Sequence, residues 1–362
     1  MIIRSAAACR NGLRFRVAAA ALGALFVHPP QANALEIFGL RLFEREQPEE
    51  MVIGTPQPYT VAFAVEGDDR TIERALKQAS HLWNDREKPA SGAAGLLAKA
   101  RGDYRRLLDA LYAEARYGPV ISITIDGREA DGLPPDAELR SPATVRIAVD
   151  PGPLFHFREA RIVNSAPPAA DPRDAVAAPA KRGFRPGEPA ESSIIIEASR
   201  LAEEAWRQQG HAKAEVIERR IVAAHDTSTI DATLTVEPGP YATFGPVTVS
   251  GTERMNADYV AWMTGVPMGR EYDPDDREEA QDRLARLDVF RSLRVQEAEQ
   301  IGPDGALPIE VIVQERLPRR FGLGGSYSTV DGLGVEAYWL HRNLFGRAER
   351  LRLEGRIAGI GE

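Results

Sequence analysis

The chain has 362 residues, enough for two or three ordinary domains, and carries 45 Lys and Arg against 53 Asp and Glu. Its formal charge of −8 lacks the basic field of a nucleic-acid binder, so we expect no nucleic-acid partner. A single Cys cannot form an internal disulfide, and the six scattered His residues have no spacing typical of zinc ligands.

The first 34 residues are predicted to be a secretory signal peptide. Four arginines precede an uncharged apolar run at 17–27, and Ala32-Asn33-Ala34 fits the small-residue pattern of a cleavage site. The run is too short for a membrane-spanning helix, which needs about 20 apolar residues. We therefore expect cleavage after Ala34, with Ala32 and Ala34 as the recognised small residues. A retained amphipathic anchor is the alternative.

One structural unit is repeated three times between residues 59 and 316. Val149-Asp150-Pro151-Gly152-Pro153 recurs 87 residues later as Val236-Glu237-Pro238-Gly239-Pro240, and a third strand ends before Leu317-Pro318. This spacing exceeds that of ordinary solenoid repeats and predicts small autonomous domains. We assign the three units to residues 59–150, 151–238 and 240–316.

Each unit is predicted to run strand, helix, helix, strand, strand. Apolar residues recur at three- and four-residue steps in stretches such as 97–115, which indicates amphipathic helices. The closing strands alternate, as in 121–125, which indicates one buried and one wet face. We therefore expect an α+β fold with helices on one face of each sheet. The Ala- and Pro-rich stretch 165–190 is predicted to be partly a weak first helix and partly loop.

After Pro318 the apolar residues recur with a period of two, which predicts strands throughout 319–362. In the last strand charged residues fill one face and aliphatic residues fill the other. Such an apolar face needs a cover or a partner. We interpret the pattern as the start of a transmembrane β-barrel, apolar toward lipid and charged toward a wet lumen. The predicted lipid-facing residues are Val335, Trp339, Leu351, Leu353 and Ile357.

No motif in the sequence predicts an enzyme, a metal site or a cofactor site. Gly322-Leu323-Gly324-Gly325 lacks the Lys-Ser/Thr ending of a phosphate loop and leads into a strand. Asp273, Asp275 and Asp276 are predicted to cap and charge the start of a helix rather than to hold a metal. We therefore expect no catalytic residues and no cofactors.

This layout resembles the Omp85 superfamily of outer-membrane assembly proteins. The β-α-α-β-β units are similar to POTRA (polypeptide-transport-associated) domains, and the stretch from Tyr338 to Leu351 resembles the family's second strand, tight periplasmic turn and third strand. Three units before the strands are most similar to TamA, the translocation and assembly module subunit, since BamA usually has more and two-partner secretion transporters have fewer. Only the first strands of the family's barrel are expected within 319–362, so the barrel is incomplete in this sequence.

The resemblance implies an outer-membrane protein assembly or translocation factor, located in the bacterial outer membrane with its POTRA domains in the periplasm. The implied partners are outer-membrane lipid, an inner-membrane-anchored TamB-like protein, and unfolded β-barrel or autotransporter clients. A client strand would add to an exposed sheet edge through backbone hydrogen bonds. The alternatives are a BamA-like or two-partner-secretion transporter, or a soluble periplasmic binding module whose last strands form a closing sheet.

The resemblance also implies a lateral gate at the first barrel strand. Internal glycines would weaken that strand, as a gate requires, although they could instead relieve crowding in a tilted barrel. The candidate gate residues are Phe321, Gly322, Leu323, Gly324, Gly325 and Tyr327.

Overall fold

The computed structural model describes residues 35–37, 40–42, 55–328 and 332–360. The predicted signal segment, with Ala32 and Ala34, lies outside them. At the start, β1 (Leu35–Ile37) pairs with β2 (Leu40–Leu42) in a short antiparallel hairpin. From residue 55 onward the described chain forms three small mixed sheets with helices, followed by a sheet of three long strands.

The first unit is a four-stranded sheet packed against helices. Its elements are β3 (Tyr59–Val65), α1 (Arg70–Ala79), α2 (His81–Asn84), α3 (Gly92–Ala113), β4 (Val120–Ile125), β5 (Arg128–Glu129) and β6 (Ala143–Asp150). The strand order is β3-β6-β4-β5, with β3 parallel to β6. Every second residue of β6 is buried, as expected for a strand with one covered face. The buried carboxylate of Asp103 accepts the backbone N–H groups of His81 and Leu82 and so caps α2.

The second unit departs from the predicted pattern in its helix layer. Its elements are β7 (His156–Val163), α4 (Ser192–Arg207), β8 (Glu215–Ala224) and β9 (Thr229–Glu237), in the sheet order β7-β9-β8. The prediction of a weak first helix is wrong, because that stretch holds two short 3-10 helices, Pro172–Asp174 and Pro179–Arg182. A proline begins each of them, and the prolines of this stretch lack the N–H that an extending helix needs.

The third unit has both helices. Its elements are β10 (Thr243–Ser250), α5 (Ala257–Thr264), α6 (Pro274–Ala285), β11 (Phe290–Glu297) and β12 (Ala306–Glu315), in the sheet order β10-β12-β11. Asp273 is the N-cap of α6, where its side chain accepts the N–H of Asp275, and Asp275 and Asp276 lie in the first turn. The predicted capping role of this acidic cluster is confirmed.

All three units share one topology and have separate cores. In each sheet the first strand lies parallel to the last, which pairs antiparallel with the remaining long strand on its other side. Fully buried residues such as Leu107, Leu234 and Leu284 anchor the first, second and third cores. Among the helices that the structure describes, none combines the length and the apolarity needed to cross a membrane.

Three long antiparallel strands follow the third unit after a three-residue linker. They are β13 (Arg319–Ser328), β14 (Gly332–Arg342) and β15 (Arg350–Ile360), in the order β13-β14-β15. Their lengths of 10 and 11 residues match the tilted strand that crosses a bilayer, about 9–11 residues. The predicted α+β fold, with helical units followed by a strand-only region, is confirmed.

Candidate functional site

The three long strands present one apolar face. The register places Phe321 opposite Trp339 and Trp339 opposite Leu353, so these side chains form a row across the sheet. A second row contains Val335 and Ile357. Leu353 is 56% exposed and Ile357 is 67% exposed, so the described chain leaves this face uncovered.

The five predicted lipid-facing residues lie together on this apolar face. They occupy odd-numbered positions of β14 and β15 that the register aligns: Val335, Trp339, Leu351, Leu353 and Ile357. Trp339 is half-buried and stacks on His341, with ring centroids 5.8 Å apart. The structure thus brings these residues onto one face, and contact with lipid is the proposal argued below.

The opposite face of the sheet is polar and has contacts of its own, within β15 and between β15 and β14. The Arg352 guanidinium lies 4.6 Å from the centre of the Tyr338 ring, and its Nη2 lies 2.8 Å from Oε2 of Glu354. The Tyr338 ring lies over Gly322, its partner across the strand pair, in the space that a Cβ there would fill. A Cβ at Gly325 would instead meet open space.

The predicted gate residues all lie in β13, which in the described chain pairs on one side, with β14. Phe321 and Leu323 are strongly exposed on the apolar face. Gly322 packs beneath a ring, so relief of crowding explains this glycine. Crowding does not explain Gly325, where a Cβ would meet open space. Tyr327 pairs with Leu333 in the backbone register near the far end of the strand.

The tight turn after β14 contacts the third unit directly. Asn256, the N-cap of α5, donates its backbone N–H to the carbonyl oxygen of Gly346 at 2.9 Å. Within the turn, the Glu349 carboxylate accepts the N–H groups of Phe345 and Arg347 at 3.0 and 3.2 Å. The strand sheet and the third unit are therefore hydrogen-bonded to each other at this turn.

Glu315, at the end of β12, holds the loop that leads into α5. Its Oε1 accepts the backbone N–H groups of Glu253, Arg254 and Met255 at 2.8, 2.9 and 2.8 Å. Burial raises the pKa of Glu315, the three N–H donors lower it, and the net pKa lies below its ordinary value. The ionised carboxylate therefore stabilises the loop that precedes the Asn256–Gly346 contact.

Asp288 forms ion pairs with three arginines where the third unit meets the strand sheet. Its carboxylate oxygens lie 3.3 Å from Arg316, 3.6 Å from Arg342 and 3.5 Å from Arg350. Arg350 also donates to the carbonyl oxygen of Leu287 at 2.6 Å. Because these arginines belong to the linker, β14 and β15, the cluster ties both strands to the end of the third unit.

The second unit exposes a long strand edge. The ten-residue β8 lies at the edge of its sheet and is exposed over six consecutive residues, 217–222. Three of these residues are apolar: Ile217, Ile221 and Val222. An exposed edge with apolar side chains is a template for pairing with another strand.

Beside this edge, β8 is hydrogen-bonded to α4. Glu203 of α4 accepts the N–H of Val216 at 2.9 Å, and the Nε of Arg219 donates to the hydroxyl of Ser199 at 3.1 Å. These contacts show that the helix and the strand run in opposite directions. The preceding turn of α4, with its exposed Ile196, is therefore directed toward the apolar end of β8.

The corresponding edges of the other two units are partly occupied. In the first unit the short β5 pairs with Thr124 and Ile125 of β4. In the third unit Arg277 donates its Nη1 to the carbonyl oxygen of Val295 in β11 at 3.3 Å. Among these corresponding edges of the three units, β8 therefore best combines an open edge with apolar side chains.

A buried polar network connects the second and third units. Arg207, at the end of α4, donates to Glu297 Oε1 at 2.9 Å and to the Tyr272 hydroxyl at 3.3 Å. The Tyr272 hydroxyl donates to the same Oε1 at 2.5 Å. Burial, followed by its bond to Glu297, raises the pKa of Tyr272 well above its ordinary value, so the phenol stays a neutral donor.

The first and second units are also joined by a partly buried hydroxyl. Tyr117 donates to the carbonyl oxygen of Ala190 at 2.6 Å, and burial raises its pKa to about 12. Phe155 donates its backbone N–H to Ala115 across the same joint at 2.9 Å. Polar contacts therefore connect each of the three units to the next.

The sequence analysis missed the residues of the joint with the strand sheet. Asn256, Asp288 and Glu315 are single polar residues on loops or at element ends, where no periodicity marks them. One signal was present: the linker at Leu317-Pro318 is so short that the third unit and the strands must be in contact.

No protein-family model and no curated protein matches the sequence. Among solved structures, the chain is similar to POTRA domains 3 to 5 of Haemophilus influenzae BamA, with 14% identity and a TM-score of 0.48 over 72% of this chain and 97% of that one. It is also similar to a Haemophilus ducreyi BamA that lacks POTRA domains 1 to 3, with 14% identity and a TM-score of 0.43 over 54% of this chain, and it spans 37% of that chain. CdiB from Escherichia coli is similar at 12% identity and a TM-score of 0.29, over 57% of this chain and 36% of that one.

The topology of the described strands defines the fold. The same strand order and the same parallel pairing of first and last strands occur three times, and long antiparallel strands follow. In fold, the described chain has three tandem units of one α+β topology that lead into an antiparallel sheet of three long strands.

Proposed function

We propose that this chain is the periplasmic arm and leading barrel strands of a TamA-like assembly or translocation factor in the bacterial outer membrane. The observation that supports this proposal is the uncovered apolar face of β13–β15 beside a charged opposite face. In water such a face would associate or aggregate. In a bilayer the apolar face contacts lipid, while Arg352, Glu354 and Arg356 face a wet interior.

The arm would receive client strands at the β8 edge. A client strand can pair with the free backbone groups of β8 with little demand on its sequence, since the bonds are made by the main chain. The exposed side chains of Ile196 and Ile221 would contact apolar side chains of the client. The client then passes to β13, whose unpaired edge is the proposed lateral gate.

The proposed partner of the first unit is an inner-membrane-anchored TamB-like protein. This part of the proposal rests on the resemblance of the layout, and it is tested by crosslinking from the first sheet edge, β3, in whole cells. Capture of an inner-membrane protein supports the TamA-like branch. Capture of other outer-membrane lipoproteins or secreted partners instead would favour the BamA-like or two-partner-secretion alternatives.

A matched pair of lysine substitutions tests the membrane assignment. Leu353→Lys places a charge on the apolar face, whereas Glu354→Lys places the same charge one residue away on the polar face. A lysine on a lipid-facing barrel surface costs up to about 2–4 kcal/mol at the bilayer midplane. We expect carbonate to release Leu353→Lys from outer membranes but to leave Glu354→Lys and the unmodified chain bound. Release of the unmodified chain would favour the soluble binding module.

A further inference from the structure

The helix α5 of the third unit has an exposed aromatic surface that the proposed function does not use. Trp262 is 73% exposed, and Tyr259, one turn earlier, lies beside it with ring centroids 5.8 Å apart. Val260 and Thr264 on the other side of the helix are buried in the unit. Tyr259 packs in part against the third core, so Trp262 forms most of the exposed aromatic surface of this helix, and that surface has no partner in the described chain.

This surface is continuous with the turn that joins β14 to β15. Tyr259 and Trp262 line one cleft together with Asn256, Asp258 and Arg347. Asn256 is the residue whose N–H bonds to Gly346 of the turn. The aromatic surface of α5 therefore lies beside the end of the strand sheet, at the level of its turn.

The composition of the cleft and the turn fits one kind of partner. Trp and Tyr are enriched where a protein meets the boundary between hydrocarbon and water, because one end of each ring system is apolar and the other is polar. Arg347 supplies a cation for a lipid phosphate, although Asp258 in the same cleft supplies an opposing charge. Phe345, at the tip of the turn, is 83% exposed and adds apolar surface.

We propose that the α5 surface, defined by Tyr259 and Trp262 with Arg347, binds phospholipid at the periplasmic leaflet of the membrane. This inference rests on the proposed function, because it needs β14 and β15 to end at that leaflet. Lipid contact at α5, together with the Asn256–Gly346 bond, fixes the angle at which the arm leaves the membrane. The third unit is then an interfacial anchor as well as a link to the strands.

Single-tryptophan variants of the whole chain test the inference. The chain has four tryptophans, Trp83, Trp206, Trp262 and Trp339, so each variant keeps one and replaces the other three by Phe. The variants are refolded into vesicles of phosphatidylethanolamine and phosphatidylglycerol that contain phospholipid brominated either near the headgroup or deep in the acyl chain. Trp206 serves as the control on the arm, since its indole N–H bonds to Asn164 within the second unit.

We expect headgroup-proximal bromine to remove about half of the Trp262 emission, as for an interfacial aromatic residue, and to leave Trp206 unchanged. Deep bromine should quench Trp339 most. If bromine quenches Trp339 but affects Trp262 no more than Trp206, the inference is overturned and the proposed function stands. Absence of quenching at both Trp339 and Trp262 would overturn the proposed function itself.

A charge variant separates lipid binding from burial against protein. Arg347→Glu is made in the variant that keeps only Trp262. It should reduce the quenching by headgroup-proximal bromine in vesicles rich in phosphatidylglycerol, and it should reduce this quenching less in uncharged vesicles. Unchanged quenching in both lipids would overturn the assignment of Arg347 to the lipid site. A Trp262 that is shielded equally in detergent and in vesicles would indicate a protein partner and overturn the proposal.

Discussion

The ring of Tyr338 lies over Gly322, its direct partner across the first two strands of the terminal sheet. The Arg352 guanidinium covers the same ring from β15, so one stack spans all three strands on the polar face. A glycine beneath an aromatic ring gives that ring backbone to pack on and leaves no room for a side chain. Gly322 therefore leaves the space that the Tyr338 ring occupies, whereas the corresponding space at Gly325 is open.

A series of glycine substitutions in β13 separates these roles. Gly322→Ala should destabilise the sheet by about 1 kcal/mol, the low end of the cost of overpacking, because the partly exposed Tyr338 ring must shift to admit the new Cβ. Gly325→Ala should be neutral or stabilising, because its Cβ meets open space. Urea unfolding of both variants checks this. Equal stabilities for the two variants would contradict the packing of Tyr338 on Gly322.

The same series tests the gate. If β13 opens laterally, Gly325→Ala should slow client release without any loss of stability, because it removes a glycine from an unobstructed strand position. Release is measured in a reconstituted assembly assay with a single client. Unchanged release in Gly325→Ala would count against the lateral gate, while the packing result at Gly322 would be unaffected.

Proline substitutions test client binding at the β8 edge. Of two adjacent strand residues, one directs its N–H to the neighbouring strand and the other directs it outward. One of Arg220→Pro and Ile221→Pro should therefore unfold the second unit in part, and the other should leave it folded but abolish binding of a labelled outer-membrane strand peptide. The matched pair Ala160→Pro and Arg161→Pro in β7, at the opposite edge, should contain a folded variant that still binds. Full binding by a folded β8 variant would exclude this edge.

The Arg207 network predicts a rigid joint between the second and third units. Arg207→Met keeps the aliphatic stem but leaves Glu297 without its partner from the second unit, which should cost about 2 kcal/mol. Arg200→Met, which breaks an exposed pair with Glu197 on the same helix, should cost less than about 0.5 kcal/mol. Chemical unfolding gives the stabilities, and spin-label distances between the units should broaden for Arg207→Met alone. Equal behaviour of the two variants would contradict the role of the network.

The pKa of Glu315 predicts an acid-sensitive joint. Its pKa is depressed in the folded protein, so its stabilising contribution is present above the unfolded-state pKa and is lost as the pH falls through the folded value. Glu315→Gln should lower the free energy of unfolding by about 2 kcal/mol at neutral pH, and this difference should shrink as the pH falls below the ordinary pKa of a glutamate. Glu310→Gln, in the same strand but without the three N–H donors, is the control. A difference that does not change with pH would contradict an ionised Glu315.

The sequence predicted strands and helices where their apolar period was clear. The alternation in β6 and the change of period after Pro318 both correspond to observed strands. The prediction of a first helix in the second unit was wrong because the apolar residues there are mainly Ala and Pro. The prolines interrupt the backbone hydrogen bonds that an α-helix requires.

The candidate sites were predictable only in part, for a physical reason. Alternation shows which residues share a face, so the apolar face with Leu353 and Ile357 could be identified from the sequence. It does not show which strand lies at an edge, because that depends on pairing between distant segments, and so β8 was not singled out. The Asn256–Gly346 bond joins residues of different elements through their backbones and leaves no trace in side-chain pattern.

The most direct test of the membrane assignment is the environment of successive residues along β15. With Cys9 replaced by Ser, single cysteines from 351 to 357 are spin-labelled in the reconstituted chain, and their accessibility to oxygen and to a water-soluble relaxation agent is measured. Positions 351, 353 and 357 should be most accessible to oxygen, which partitions into lipid, and positions 352, 354 and 356 to the water-soluble agent. Equal access of the water-soluble agent to both sets would show that water, rather than lipid, covers the apolar face, and would contradict the account.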